Sequence, residues 1–252
     1  MHFFKGLSSG VNRILAPIGV KIAHAGHDWA DVSSFIPFGE TMASAKGSGL
    51  PLGDYIDTRQ GITGATQATV KHMKELGVFE GSIQAILEIG PGTGRYLDYT
   101  LRECWPERYE IYETASEWAD FVSRKYPVVV RQPTDGASLQ ATATASIDLV
   151  QAHKVLSATT FLVTANYWCE MVRVVREGGY IVFDVVTERC LTPAIVEAWA
   201  HRGIPSRSTY PSLVPFAAVI DFFCSQSFKH VGSFLSPMPP GHTEVFVFRK
   251  LN

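Results

Sequence analysis

The chain is poor in the features that mark several functional classes. It has only four cysteines, Cys104, Cys169, Cys190 and Cys224, with no CxxC pair. No His/Cys spacing suits zinc, and His24 and His27 have no further ligands at matching distance, so no metal site is expected. A reducing, cytoplasmic setting is the economical expectation. Charge of either sign is scarce: charged residues make up 18% and the formal net charge is −2. With no basic excess, a nucleic-acid partner is not expected.

A long apolar run is also missing. The N-terminal stretch MHFFKGLSSGVNRILAPIGVKIAHAG is broken by Gly10 and Pro17 and does not read as a signal peptide or a membrane span. Val11, Ile14, Leu15, Ile18 and Ile22 lie beside Lys5, Arg13 and Lys21. This face suits either a helix capping its own domain or peripheral contact with a membrane or partner. The chain contains no GK[ST], so a P-loop is excluded.

What is present is a hydrophobic content of 46% in 252 residues, enough for one large α/β domain with a small cap. Residues 25–60 read as loop, punctuated by Gly39, Gly47, Gly49, Pro51 and Gly53. Helical spacing follows over Gly61–Leu76. Short apolar runs then alternate with helical patterns. Strands are expected at Ala85–Ile89, Tyr109–Glu113, Val128–Arg131, Ile147–Ala152 and Tyr180–Val186. Helices are expected up to about Glu103, over Ala115–Tyr126 and over Ala165–Arg176, the last stopped by Gly178 and Gly179. The pattern predicts a doubly wound, Rossmann-like, mostly parallel sheet. After a helical stretch at Pro215–Ser225, Lys229–Leu235 and Glu244–Arg249 predict an antiparallel pair at its end.

The chemistry is concentrated in ILEIGPGTG. Gly90, Gly92 and Gly94 follow the first predicted strand, where an open parallel sheet binds its ligand and where bare backbone permits close approach. The spacing is GxGxG, and Arg95 stands where the dinucleotide fingerprint has its third glycine. Glu113 closes the second strand, the place of a carboxylate that accepts from ribose hydroxyls. Asp135–Gly136 follows the third strand. It suits either an exocyclic amine and a flat base or an ordinary D-G turn.

The stretches ILEIGPGTGRY, YEIYE, PTDGASL, SIDLVQAHKVL and RVVREGGYIVFDV together resemble the class I S-adenosylmethionine-dependent methyltransferases. The resemblance spans about Ile86 to Val186 and implies a seven-stranded sheet and S-adenosylmethionine as cofactor. It divides the chain into an N-terminal helical cap or lid (residues 1–75) and a methyltransferase domain (residues 76–252). By position, it implies that Glu88 and the loop Gly90, Pro91, Gly92 and Gly94 surround the methionine end. Glu113 would hold the ribose, Asp135 and Gly136 would meet the adenine, and Ala152 and His153 would lie near the sulfonium. Tyr55, in PLGDYIDTRQ with Asp57 and Gln60, is expected to reach the cofactor from the cap.

Nucleic-acid amino-methylases of this family carry [DNS]PP[YFW] after the fourth strand, where this chain reads QAHK; a catechol-type enzyme needs a ligand Asp where His153 stands. What remains is metal-independent methylation of a small-molecule or glycan acceptor. A hydroxyl acceptor must lose a proton, and His153 has suitable proton affinity, with Glu188 as the alternative base. Asp184, His242 and Tyr210 are candidates for acceptor contacts, with Glu244 beside them. The aromatics Phe216, Phe222, Phe223 and Phe228 are expected mostly in the core. The stretches NRILAPIGVKI, QAHKVL and VVREGGYIVFDVVTE are similar to sugar-modifying members. The first expectation is therefore O-methylation of a sugar hydroxyl on a glycan or glycolipid, as in polysaccharide biosynthesis. A lipid, quinone or secondary-metabolite acceptor, or a non-catalytic cofactor-binding interaction protein, stands as the alternative. Oligomeric state is left open.

Overall fold

A computed structural model describes residues 36–206 and 211–251. The N-terminal amphipathic stretch, His24, His27 and Tyr210 lie outside the described residues. Seven strands form one sheet in the order β3-β2-β1-β4-β5-β7-β6. In chain order they are β1 Ala85–Ile89, β2 Arg108–Tyr112, β3 Val129–Arg131, β4 Ile147–Ala152, β5 Val175–Val185, β6 Phe228–Met238 and β7 Gly241–Lys250. The first five pair in parallel, and β7 runs antiparallel between β5 and β6. The predicted fold class and terminal strand pair are both present.

Side chains alternate along each strand, so β1 serves two cores. Leu87 and Ile89 join Val150 and Phe183 on one face. There they meet Tyr167, Trp168 and Met171 of helix α6 (Phe161–Val174) and Phe223 of α8 (Phe216–Ser225). Ile86, Leu149 and Val182 face the other way. They pack against Val70 and Met73 of α3 (Ala65–Glu75), Tyr96 and Leu97 of α4 (Arg95–Glu103), and Val122 of α5 (Ser116–Lys125). Both β1 and β4 are buried on both faces, which is why they are mostly apolar, with Glu88, Asp148 and Gln151 as the buried polar exceptions.

Two regions differ from the sequence reading. The stretch taken as loop holds α1 (Phe38–Ser48) and α2 (Leu52–Arg59). Of its punctuation residues, Gly49 is the left-handed C-cap of α1 and Pro51 the N-cap of α2, while Gly39, Gly47 and Gly53 lie in the first or last turn of these helices. The stretch after β5, to which no element was assigned, holds a 3₁₀ turn at Glu188–Cys190 and α7 (Pro193–Ser206). In addition, α6 ends at Val174, before the two glycines. The Arg173 and Val174 carbonyls accept from the Ala145 and Ser146 amides at 2.9 Å, so the chain joins the sheet early. Gly178 and Gly179 then lie within β5, where a Cβ on Gly179 would stand 2.9 Å from the Asp148 carbonyl oxygen.

The strand order reverses between β1 and β4, and the crevice at their carboxyl ends is where such sheets bind ligands. Gly90 leaves β1 there with φ 62°, and a Cβ on it would lie 2.6 Å from Val155 Cγ2. Gly90→Ala therefore faces two costs: about 1–2 kcal/mol for a left-handed L-residue and about 1–3 kcal/mol for overpacking. Urea denaturation should show a clear drop in midpoint, and an unchanged midpoint would show that the loop tolerates a side chain.

Candidate functional site

A cleft of ≈ 600 Å³ opens at this switch point. Small-molecule sites usually measure roughly 300–1,000 Å³. Gly90, Pro91 and Gly92 form its floor, and Tyr112, Glu113, Thr114 and Ala115 follow from the end of β2. Trp118 and Gly136 close that end. At the other, His153, Lys154 and Val155 follow β4, and Pro237, Met238 and Arg202 form the rim. Helix α2 covers the opening with Ile56, Arg59 and Gln60.

Glu113 is 6% exposed and built into the loop. One carboxylate oxygen accepts from the Gly92 amide and the other from the Ala115 amide, both at 2.8 Å. Burial pushes its pKa upward, against the backbone N–H groups of Ala115, Gly92 and Thr114. A carboxylate has about four acceptor positions, so these bonds leave capacity for hydroxyl donors. Bare glycine backbone beside a buried, partly satisfied carboxylate fits a ligand that carries a ribose.

His153 is 5% exposed and stacks on Tyr96, with ring centroids 4.2 Å apart and planes 19° apart. Neither ring nitrogen has a hydrogen-bond partner among the described residues. Burial pulls its pKa down to about 4; Asp184 opposes the shift, while Lys154 and Arg95 add to it. The imidazole is therefore neutral at physiological pH, with one lone pair open to a proton.

Several expected site residues lie elsewhere. Glu88 points to the opposite face of β1 and does not line the cleft. Its carboxyl group accepts from the Tyr109 hydroxyl at 2.5 Å, and Gln151 Nε2 donates to the same tyrosine oxygen at 2.7 Å. Desolvation raises its pKa to about 7. Asp135 turns back on its own chain. One oxygen accepts from the Ala137 and Ser138 amides at 2.9 and 2.8 Å, and the other from Ser138 Oγ at 2.8 Å. The local turn chemistry satisfies it, and only its neighbour Gly136 lines the cleft. Gly94 is the left-handed N-cap of α4 beneath the floor. Ala152 is buried in the core behind His153, and Tyr55 does not line the cleft although Gln60 does.

The remaining polar candidates are structural in their contacts. Glu188 is exposed, and its carboxylate accepts from the Phe216 amide at 2.9 Å, capping α8. His242 is exposed on β7. Glu244 is buried and bonded to Thr187 and Ser233. Asp184 lies behind the cleft wall, fully buried, with its ammonium partner Lys154 at 3.1 Å. Phe223 and Phe228 are core, with Phe216 and Phe222 packed against it.

Other residues of the site were not singled out from sequence. Arg95, the occupant of the third-glycine position, is buried and paired with Asp57 of α2 at 2.7 Å. Asp57 also accepts from the Thr66 amide and hydroxyl, which ties the covering helices to the head of α4. Lys154, Tyr96 and Trp118 belong to the wall. Trp118 Nε1 donates to the Ile36 carbonyl at 2.7 Å and so brings the start of the described chain to the cleft. No group of three or more His, Cys, Asp or Glu among the described residues is placed to hold a metal ion. No helix among them is long and apolar enough to cross a membrane.

Comparison with known proteins agrees with this geometry. A family model described as a methyltransferase domain matches residues 87–183. Curated proteins offer no significant sequence match. Among solved structures, the chain is similar to an O-methyltransferase family protein from Burkholderia thailandensis, with TM-score 0.59 and 13% identity over 98% of this chain and 84% of that one. It is similar to magnesium protoporphyrin IX methyltransferase from Synechocystis PCC 6803 with bound SAH, with TM-score 0.57 and 11% identity over 84% and 93%. It is also similar to the N-methyltransferase NodS from Bradyrhizobium japonicum WM9, with TM-score 0.52 and 16% identity over 75% and 97%. At these identities the likeness is one of fold. Residues 87–183 match a methyltransferase domain, and the chain is a methyltransferase with S-adenosylmethionine as its cofactor.

Proposed function

We propose that the cleft carries out metal-independent O-methylation, with a sugar hydroxyl of a glycan or glycolipid as the acceptor. The observation that carries this reading is His153: a neutral imidazole in the cleft wall, at the carboxyl end of β4, whose nitrogens have no hydrogen-bond partner among the described residues. S-adenosylmethionine, when bound, supplies a methyl group already activated on a sulfonium. The chain's own work is to hold the cofactor, align the acceptor, exclude water and take the acceptor's proton. His153 takes that proton at a ring nitrogen. Glu113 would hold the ribose hydroxyls on its remaining lone pairs, Gly90–Gly92 would hold the methionine end, and Gly136 would hold the adenine.

Within the expected N-terminal cap, the described residues 36–75 act as a cover over the cleft. The supporting observations are the cleft-lining residues Ile56, Arg59 and Gln60 on α2 and the buried Asp57–Arg95 bond beneath them. The lining of Ile36, Ile56, Ile62 and Met238 is apolar. It favours, as the second reading, an acceptor with a lipid, quinone or similar apolar body.

Calorimetry with S-adenosylhomocysteine and with NAD tests the cofactor site, and binding of NAD alone would overturn the proposal. Glu113→Ala is expected to weaken S-adenosylhomocysteine binding about 10- to 100-fold, the worth of hydrogen bonds to a charged group. Unchanged affinity would remove Glu113 from the site. Mass spectrometry of glycans and metabolites from cells with and without the gene reports the acceptor as a product heavier by one CH2. If that product is a lipid or quinone, the second reading replaces the first.

A further inference from the structure

We propose that Asp184 is a positioning residue for His153 and acts through Lys154. The proposal rests on the reading of His153 as the proton acceptor. Lys154 directly follows His153 and has φ 60°, a left-handed conformation that L side chains adopt rarely. Something must hold it there, and Asp184 does so twice. Asp184 Oδ1 accepts from the Lys154 amide at 2.6 Å, and Oδ2 lies 3.1 Å from the Lys154 ammonium. Both residues are deeply enclosed, with side-chain exposures of 1% and 13%.

The clamp is itself anchored on three further elements. Lys154 Nζ donates to Thr243 Oγ1 of β7 at 2.5 Å and to Ser236 Oγ of β6 at 2.9 Å. Thr243 Oγ1 donates in turn to Asp184 Oδ2 at 2.5 Å. Ser236 also meets Thr69 of α3 at 3.2 Å. The backbone just past His153 is therefore fixed from β5, β6, β7 and α3. Among the described residues the ring stacks on Tyr96, and neither nitrogen has a hydrogen-bond partner to fix its direction. Its direction is set by the backbone that Asp184 pins. The charged groups facing the ring are Asp184, Lys154 and Arg95.

Removing one member alone would strand a buried charge and confuse folding with positioning. The test therefore compares two neutral double variants. Asp184→Asn/Lys154→Met removes both charges and keeps an oxygen for the amide. Asp184→Leu/Lys154→Met removes that oxygen as well. The primary readout is the His153 Hε1 resonance in the S-adenosylhomocysteine complex, which the stacked Tyr96 ring displaces. The first variant should keep the wild-type shift, and the second should lose it while binding S-adenosylhomocysteine as tightly as the first. With the acceptor found by mass spectrometry, kcat of the second should fall about 10- to 100-fold, the scale of a small misplacement, with KM little changed.

Identical His153 shifts in the two variants would overturn the proposal. Where Asp184→Leu does not fold, Asp184→Ala in the same background makes the same comparison. The two ideas fail separately. A fully active His153→Ala with a displaced resonance in the second variant removes the base role and keeps the positioning role. An inactive His153→Ala with an undisturbed resonance does the reverse.

Discussion

His153→Ala is expected to lower turnover about 100- to 10,000-fold, the usual worth of a positioned general base, and to leave S-adenosylhomocysteine affinity nearly unchanged. The reason lies in the ring's surroundings. An exposed histidine would be partly protonated near neutrality and partly useless as a base. Burial pulls this one down to about 4, so it carries no proton throughout the physiological range. The same shift makes it a weak acceptor, so its value lies in position: it takes a proton that is already leaving as the new bond forms. The acid limb of kcat/KM assigned to His153 should then sit near pH 4 and not near 6.5. A limb near 6.5 that vanishes in the variant would show that the ring is solvated in the working enzyme. Full turnover in His153→Ala would move the proton to another acceptor, and Glu188 is a poor one because it caps α8 outside the cleft.

The architecture was legible where a strand is short, mostly apolar and followed by turn-forming residues. Ala85–Ile89 and Ile147–Ala152 stand where the periodicity puts them. The helices at Phe38–Ser48 and Leu52–Arg59 were not legible, because their glycines and prolines read as breaks. Proline at a helix start and glycine just beyond its end are punctuation of helices, not evidence against them. Local pattern reports composition over a few residues, and it was misleading where end signals crowd together.

For the cleft, sequence reading worked at backbone positions and poorly at side chains with distant partners. Gly90, Gly92, Glu113 and His153 all line it, because loops after β1, β2 and β4 must open at the same edge of a parallel sheet. Asp135 could not be separated in advance from an ordinary turn, and its carboxylate accepts three bonds from its own chain. The charge at Asp184 was conspicuous inside YIVFDVV, but its partner lies 30 residues earlier and is a lysine, a residue most often left to solvent. Arg95 is similar: only the fold brings Asp57 to it, across 38 residues.

Glu88→Gln is expected to change the pH dependence of stability by about 3 kcal/mol between pH 4 and pH 8. Glu88 lies fully buried in β1, and desolvation holds its pKa at about 7 against an unfolded value of 4.5. In the folded chain it keeps its proton up to about pH 7; in the unfolded chain it releases it from about pH 4.5 upward. Its protonated form therefore stabilises the fold fully below pH 4.5, and that contribution is lost as pH rises to 7. His153 acts in the opposite sense. Its folded pKa of about 4 lies below the unfolded 6.5, so its contribution is present above pH 6.5 and is lost as pH falls through 4. Between these limits the two trends oppose each other and flatten the wild-type profile. Glutamine cannot ionise, so the variant should lose the Glu88 trend and gain stability relative to wild type as pH rises from 5 to 8. Urea midpoints of both proteins at pH 5 and pH 8 measure this directly. A difference between them that stays constant with pH would mean that Glu88 is ionised in the fold across the range, with the Tyr109 hydroxyl and Gln151 outweighing its burial.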